Sequence, residues 1–144
     1  MEINIKKLDE LSAKEVLDFL YERVKVFVVE QNCPYQEVDK DDYIATHVVI
    51  TENDKILGYT RIINRDEYVT FGRVLIAEEA RGRKLGKYLV EITLEEIKRN
   101  YPDKNIKISA QHYLLAFYES FGFVPTTDIY LEDDIPHIGM TLNK

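Results

Sequence analysis

The stretch that most constrains this chain lies near its middle and reads GRVLIAEEARGRKLGK, residues 72–87. Its first half is an apolar run that predicts a strand, and from Leu85 onward apolar residues recur at helical spacing. Basic residues between the two are interleaved with Gly82 and Gly86. A glycine-containing loop that opens a helix directs unpaired N–H groups and the helix dipole at one point. Such a segment suits a phosphate or pyrophosphate group.

Length and charge bound the class of protein. The 144 residues suffice for one hydrophobic core, so we expect a single domain over 1–144. The formal net charge of −7 argues against a basic surface for nucleic acid. No apolar run approaches the ~20 residues of a membrane span, and the N-terminus lacks a signal-peptide pattern. The lone Cys33 fits a reducing compartment. We therefore expect a cytoplasmic protein that binds neither nucleic acid nor membrane.

Hydrophobic patterning predicts elements in the order β-α-β-β-β-α-β-α-β. Ser12 and Glu15 have the spacing of a capping box and predict a helix over 12–31, ended by Pro34. A second long helix is predicted over 83–100. A run of antiparallel strands followed by a strand–helix–strand unit predicts an α/β (α+β) fold, with a mixed, mostly antiparallel sheet and helices on both faces. Further strands are predicted at HVVIT, ILGYTRII, EYVTFGRVLIA, IKISA and HIGMTLN, and a short helix ended by Gly122 at YLLAFYESFGF.

Three phosphate-binding loops compete for the basic segment. The Walker pattern requires Ser or Thr after Gly86-Lys87, where this chain has Tyr88. The dinucleotide fingerprint G-x-G-x-x-G is absent. The pattern Arg/Gln-x-x-Gly-x-Gly/Ala fits from Arg81 to Gly86, and here the chain resembles the GNAT acetyltransferase superfamily, in which this loop holds the pyrophosphate of coenzyme A. Lys84 departs from that pattern, because the family usually has glycine there.

A second match to the family follows the next strand. The motif A-x-x-F-Y-x-x-x-G-F corresponds to residues 114–123, with Phe117-Tyr118 and Gly122-Phe123 in place. The resemblance implies that Tyr118 faces the sulfur of the coenzyme, the alternative being a core aromatic residue. Similarity to the ElaA-like branch of the superfamily is sharpest at FVVEQNCPYQEVD (27–39), RI…FGRV (61–74) and YLEDDIPHIGM (130–140).

The resemblance implies a GNAT-like acyl-CoA N-acyltransferase fold, with acetyl-CoA as the acyl-donor cosubstrate and an amine of a small molecule or peptide as acceptor. A backbone N–H near Leu75 would stabilise the oxyanion, and Tyr118 is the candidate acid for the leaving thiolate. No metal-ligand spacing is present, so no metal is expected. The predicted cofactor-binding residues are Val74, Leu75, Ile76, Arg81, Gly82, Arg83, Lys84, Leu85, Gly86, Lys87 and Tyr118.

Residues for the acceptor side are less determined by the sequence. Arg61 and Arg73 lie inside apolar strands, and a buried arginine needs a partner. Either one of them anchors a substrate carboxylate, or they pair structurally with Glu30, Glu37 or Asp39. The residues considered for acceptor binding are Arg61, Arg73, Glu30 and His112. The candidates for the general base are His112, Glu30, His47 and His137, and a water chain from a backbone carbonyl is equally compatible.

Other functional classes stay open at this point. A non-catalytic acyl-CoA-binding regulatory module would keep the basic loop and tolerate loss of Tyr118. A pure interaction protein would need neither feature. A longer acyl donor and self-association into a homodimer are both compatible with the sequence. Cys33 lacks the histidine pattern that would activate it as a nucleophile.

Overall fold

One eight-stranded sheet organises the chain, and a computed structural model describes it together with three helices over residues 1–144. The strands are β1 (Glu2–Lys7), β2 (Thr46–Glu52), β3 (Lys55–Asn64), β4 (Tyr68–Ile76), β5 (Asn105–Gln111), β6 (Val124–Pro125), β7 (Tyr130–Glu132) and β8 (Ile135–Leu142). The helices are α1 (Ala13–Val24), α2 (Leu85–Asn100) and α3 (Leu115–Glu119). None of the helices is long and apolar enough to cross a membrane.

Neighbouring strands follow the order β1-β2-β3-β4-β5-β8-β6, and β7 pairs with β8. Every pair is antiparallel except β4 with β5, which α2 connects. The sheet is therefore mixed and mostly antiparallel with helices on both faces, which confirms the predicted fold class. The sequence pattern does not predict β6 and β7, because they are only two and three residues long and exist through their pairing with β8.

The first helix begins where the sequence predicts and changes type before its end. The Ser12 hydroxyl accepts the Glu15 N–H at 3.1 Å, and the Glu15 carboxylate accepts the Ser12 N–H at 2.9 Å. This reciprocal pair is the predicted capping box. After α1 the chain continues as a π-helical segment, Lys25–Glu30, so the helical stretch ends within one residue of the predicted end at 31. Such π-helical turns occur frequently at functional sites, and this one places Glu30 at the edge of a groove.

Hydrophobic side chains form one core on each face of the sheet. The larger core lies beneath α2 and α3, and the smaller lies beneath α1. Phe71 belongs to the larger core and Leu75 to the smaller, although both lie in β4 and are four residues apart. Even spacing in a regular strand keeps side chains on one face, so β4 contains an irregularity between them. The larger core includes Val69, Leu89, Val90, Ile97, Phe123 and Met140; the smaller includes Phe19, Val26, Phe27, Val49 and Tyr59.

A group of charged residues fills the space between α1, the loop after it, and strands β3 and β4. We call it the arginine–carboxylate cluster, and it consists of Arg23, Arg61, Arg73, Glu37, Asp39 and Asp42. Arg23 is 0% exposed, and its guanidinium lies 3.0 Å from the Glu37 carboxylate and 2.6 Å from that of Asp42. Three positive and three negative charges compensate one another, which the buried members require, although Arg73 and Asp39 are partly exposed.

The strand arginines belong to this cluster. Arg61 binds Asp39 at 2.7 Å, and Arg73 binds Glu37 at 2.7 Å. Of the two alternatives drawn from the sequence, the structure shows the internal pairing, with Glu37 and Asp39 as partners and without Glu30. Burial alone would raise the pKa of Asp42, but hydrogen bonds and the nearby guanidinium groups outweigh it and lower that pKa to about 2.

Replacing Glu37 with Gln removes the carboxylate that Arg23 and Arg73 share. We expect the free energy of unfolding to fall by about 3 kcal/mol or more, because a buried guanidinium loses its counter-charge. Urea denaturation at neutral pH measures this loss. Asp41→Asn removes a partly exposed pair with Arg65 and is the matched control, with an expected cost below about 1 kcal/mol. Equal losses in the two variants would contradict the importance of the cluster.

Acid is expected to weaken the fold in two stages. Burial lowers the pKa of His47 in the folded protein. Below about pH 6.5 the unfolded chain therefore binds a proton at this residue that the folded protein does not bind, and the free energy of unfolding falls. Asp42 has a pKa of about 2 in the fold and about 3.9 when unfolded, so its contribution is present above about pH 4 and lost toward about pH 2. Urea denaturation across this range should show both losses. A constant free energy of unfolding from about pH 7 to 5 would contradict the first.

Candidate functional site

The irregularity in β4 is a bulge at Arg73–Val74, where two residues face the single Thr60 of β3. Arg73 has a φ of +53°, which is uncommon for a residue other than glycine. The Thr60 hydroxyl donates to the Gly72 carbonyl at 2.7 Å across the bulge. The guanidinium of Arg73 is meanwhile held by Glu37. The arginine–carboxylate cluster therefore supports the one strained residue of this strand.

The bulge also decides which backbone N–H groups of β4 face the sheet. The Ala77 N–H donates to the Leu57 carbonyl at 2.9 Å, and hydrogen-bonded pairs recur at every second residue of an antiparallel ladder. Leu75 therefore turns its own N–H toward β3, and its side chain is buried in the core beneath α1. The N–H groups of Val74 and Ile76 point the other way, toward β5. The donor predicted near Leu75 thus corresponds to Val74 or Ile76.

Strands β4 and β5 pair only at Tyr68–Asn105 and Val69–Ile106 and then separate. The space between them is a groove of about 830 Å³. The π-helical segment forms one wall, and the start of α3 and the β7–β8 hairpin form the other. This volume is in the range of small-molecule and cofactor sites. The groove is the place where β4 presents its unpaired edge.

The loop that leads from the groove to α2 adopts a backbone suited to glycine. Gly82 has a φ of +86° and Lys84 a φ of +60°. Lys84 keeps the conformation that a glycine would adopt there, at a cost of about 1 kcal/mol. The N–H groups of Gly82 and Arg83 have no acceptor in the protein, and the first N–H groups of α2 have no helical partner. Because this loop is non-helical, α2 begins at Leu85, two residues later than predicted.

The arginines of this loop are ion-paired. Arg81 binds the Glu30 carboxylate through two contacts of 2.6 and 2.9 Å, and its Nε–H donates to the Ile76 carbonyl at 3.1 Å. Arg83 lies 3.2 Å from the Glu52 carboxylate. Both arginine side chains of the loop are therefore engaged, and the guanidinium of Arg81 reaches a phosphate only by leaving Glu30.

The other predicted members of the loop play different parts. Leu85 fills the core beneath α2. A methyl group on Gly86 would make ordinary contact with Phe117 at 3.9 Å, so packing inside the protein does not require glycine there. Lys84 makes no ion pair, and Lys87 lies 4.0 Å from Glu91 at the limit of one. Two lysine ammonium groups thus stay available beside the free backbone donors.

Tyr118 lies on α3 and lines the groove. It is only 5% exposed, yet its hydroxyl makes no hydrogen bond within the protein and is not sealed from the groove. Burial raises its pKa well above the usual range for tyrosine, so the hydroxyl keeps its proton. The rings of Phe71, Phe117 and Phe123 surround it.

The structure separates the candidate bases. The hydrogen bond from Arg81 lowers the pKa of Glu30 and makes it a weaker proton acceptor. His47 is buried and hydrogen-bonded through both ring nitrogens, away from the groove. His112, predicted for acceptor binding, precedes α3 and does not line the groove. His137 lies on β8, is 7% exposed and faces the groove.

The hairpin of β7 and β8 forms a wall that the sequence patterns did not predict. Glu132 and Asp133 line the groove there. The Ser109 hydroxyl is hydrogen-bonded to Glu132 at 3.2 Å, and the Cys33 thiol donates to the Asp133 carbonyl at 3.3 Å. Cys33 thus joins the hairpin to the loop after the π-helical segment. The sequence signal that could have predicted this hairpin is the pair of adjacent aspartates Asp133 and Asp134. Both adopt a positive φ in its turn. No group of three potential ligands is arranged for a metal ion.

Comparison with known proteins agrees with this geometry. A family model described as an acetyltransferase (GNAT) domain matches residues 8–144. Protein ElaA of Escherichia coli K12 is 46% identical over 136 residues, which cover 91% of this chain and 89% of ElaA. The crystal structure of E. coli ElaA has a TM-score of 0.94 at 44% identity, covering 98% of this chain and 99% of that one. An acyl-CoA N-acyltransferase from Pseudomonas aeruginosa has a TM-score of 0.94 at 41% identity, covering 97% of each chain. The chain therefore belongs to the GNAT acetyltransferase family, in the branch that resembles ElaA.

Proposed function

We propose that this protein transfers an acetyl group from acetyl-CoA to a primary amine of a small molecule or peptide. Membership of the GNAT family supports acyl transfer in general. The observation that carries the proposal is the Tyr118 hydroxyl, which is buried, protonated and without a partner, and which opens onto the groove beside the free edge of β4. An interaction protein would have no need of such a group.

The chain offers two kinds of donor for a coenzyme A molecule. The backbone N–H groups of Gly82 and Arg83 and the first turn of α2 suit the pyrophosphate, aided by the helix dipole. The Lys84 and Lys87 ammonium groups add positive charge. The exposed edge of β4 at Val74 suits the amides of the pantetheine arm, which would add to the sheet as a short strand.

The reacting atoms would lie where β4 leaves β5. When bound, acetyl-CoA supplies a thioester carbonyl that a neutral amine can attack. The Val74 N–H would stabilise the negative charge that develops on the carbonyl oxygen. Tyr118 would donate a hydrogen bond to the sulfur. Its pKa lies above that of a thiol, about 8.5, so it stabilises the leaving thiolate and keeps its own proton. Holding the two reactants together supplies much of the acceleration.

We further propose a cytoplasmic location. A free thiol at Cys33 fits a cytoplasmic location. The same groove geometry is compatible with a longer acyl chain, which assays with propionyl-CoA and butyryl-CoA would show. The alternative function is a non-catalytic acyl-CoA-binding module with a regulatory role. That module would bind acetyl-CoA with its loop donors and release no thiol with any amine.

Titration calorimetry and a thiol-release assay with a panel of amines test the proposal through Tyr118→Phe. We expect acetyl-CoA to bind the wild type with a Kd in the micromolar range and the variant within about twofold of it. The kcat should fall about 10- to 100-fold, because the hydrogen bond to a charged sulfur is lost. Tyr21→Phe, at an exposed position of α1, is the control. Absence of acetyl-CoA binding in the wild type would contradict the proposal.

Glu30→Gln tests the competition for Arg81. The variant frees the Arg81 guanidinium, so we expect acetyl-CoA to bind about three- to fivefold more tightly, the size expected for a half-exposed ion pair. Calorimetry at low salt measures the change. Glu96→Gln frees Arg99 at the other end of α2 and should leave the Kd unaltered. Weaker binding in Glu30→Gln would show that Arg81 does not reach the coenzyme.

A further inference from the structure

The two ring nitrogens of His137 differ in their hydrogen bonding. Its Nδ1 lies 2.7 Å from the Ile135 carbonyl oxygen. A carbonyl only accepts hydrogen bonds, so in the neutral ring Nδ1 carries the proton and Nε2 presents a lone pair. The ring is also stacked on Tyr130, with centroids 6.2 Å apart and an interplanar angle of 26°. The hydrogen bond and the stacking hold a basic nitrogen in a fixed orientation on the groove wall.

The sheet places this ring opposite Tyr118. Ile108 and Ile138 pack with Tyr118 in the core beneath α2. Because neighbours in a strand alternate between faces, Ser109 and His137 project from the other face. The groove thus has, on one face of the sheet, a base whose Nε2 makes no hydrogen bond within the protein and, on the other face, a hydroxyl without a hydrogen-bond partner. That arrangement separates the group that would take a proton from the group that would meet the sulfur.

A carboxylate accompanies the basic nitrogen. The Glu132 carboxylate lies 3.5 Å from Nε2 of His137 and is 49% exposed, so it is accessible to a ligand in the groove. The Ser109 hydroxyl holds it at 3.2 Å. The cations across the groove are already paired, Arg73 with Glu37 and Arg81 with Glu30. Glu132 and Asp133 line the groove on the same wall as His137, and Tyr130 stacks on its ring. The other titratable groups that line the groove are Tyr113, Tyr118, Glu30, Cys33, Tyr35 and Asp41.

From this arrangement we propose that His137 is the general base of the transfer, and that the acceptor is an aliphatic primary amine that arrives as an ammonium ion beside Glu132. The inference rests on the proposed function and adds the charge class of its substrate. The ammonium gives one proton to Nε2, and the freed lone pair forms the N–C bond while the C–S bond breaks. The second nitrogen proton ends on the sulfur, and His137 releases the first to solvent.

The tautomer can be measured without any acceptor. In protein labelled with ¹⁵N at histidine, the imidazole nitrogen shifts of neutral His137 should show a protonated Nδ1 and a bare Nε2. The variant His137→Asn assigns the signals, because they disappear in it. Neutral His137 with its proton on Nε2 would overturn the proposal, since that nitrogen could not then accept one.

The variant His137→Asn also tests the base by kinetics. Asparagine keeps an N–H donor near the Ile135 carbonyl and removes Nε2. With propylamine as acceptor, we expect kcat/KM at neutral pH to fall about 100-fold or more. The acidic inflection of the wild-type pH profile should vanish, and activity should rise steadily toward alkaline pH. Glycinamide has an amino group with a pKa of about 8, against about 10 for an alkylamine. With glycinamide as acceptor, the fall in kcat/KM should be smaller, because a larger fraction of this amine is already neutral.

The outcomes separate this inference from the proposed function. Acetyl-CoA should bind His137→Asn as it binds the wild type, which shows that the fold and cofactor site are intact. Normal turnover in that variant would overturn the base assignment and leave the acetyltransferase proposal standing. Absence of acetyl-CoA binding in the wild type would instead remove the proposed function itself. If the wild type acetylated only amines that are neutral at pH 7, such as aniline, the inference that the acceptor arrives as an ammonium ion would be wrong.

Glu132→Gln tests the recognition of the ammonium. We expect its KM for 1,3-diaminopropane to rise about three- to fivefold at low salt, as for a half-exposed charge, and kcat to change by less. The rise should shrink at high salt because the interaction is screened. Asp134→Asn, in the same turn but outside the groove, is the matched control for lost negative charge. An equal rise in KM in the two variants would show that Glu132 does not bind the ammonium group specifically.

Discussion

The ion pairs of the arginine–carboxylate cluster are the interaction on which the site depends. They join α1 and the loop after it to β3 and β4, and Glu37 contacts both Arg23 and Arg73. Arg73 is the residue at positive φ in the bulge, so the cluster holds the strand in its irregular shape. The bulge lies in the part of β4 that has already separated from β5, beyond the last paired residue Val69, and it lines the groove between the two strands. Charges buried for structural reasons thus shape the β4 side of the candidate site.

The groove combines groups that are satisfied with groups that are not. Its guanidinium groups are ion-paired within the protein, although the buried Nε of Arg61 has no hydrogen-bond partner. The free backbone donors are N–H groups of the unpaired part of β4 and of the loop before α2. Backbone donors are rigid and cost little reorganisation when a ligand arrives. Arg81 is the exception, because the Glu30 carboxylate that holds it is half-exposed and exchangeable. Ligand binding therefore needs few internal contacts to break.

In the proposed reaction, the two groups that interact with protons, Tyr118 and His137, lie on opposite faces of the sheet. Tyr118 is buried among aromatic rings, so its raised pKa suits a hydrogen-bond donor better than an acid that gives up its proton. His137 is oriented by a backbone carbonyl and lies beside a carboxylate. In the proposed reaction the two groups have complementary tasks, Tyr118 at the sulfur and His137 at the nitrogen. Their separation by the sheet keeps the Tyr118 hydroxyl away from the Glu132 carboxylate.

The sequence alone determined the features that depend on residues close together in the chain. The cap at Ser12 was predictable from local spacing, and the loop from Arg81 to Gly86 and the motif around Tyr118 were recognisable from short segments that resemble the GNAT family. The tertiary structure decided the partners of each charge, because these lie far apart in sequence: Arg81 and Glu30 are separated by 51 positions.

The choice among the histidines was likewise a tertiary matter. All three have similar local surroundings in the sequence, and no spacing distinguishes them. Only the pairing of β8 with β5 and β7 turns His137 toward the groove and brings Glu132 to it. Short strands such as β7 carry too few residues for a pattern, so their existence and the wall they build depend on contacts that the chain makes after it folds.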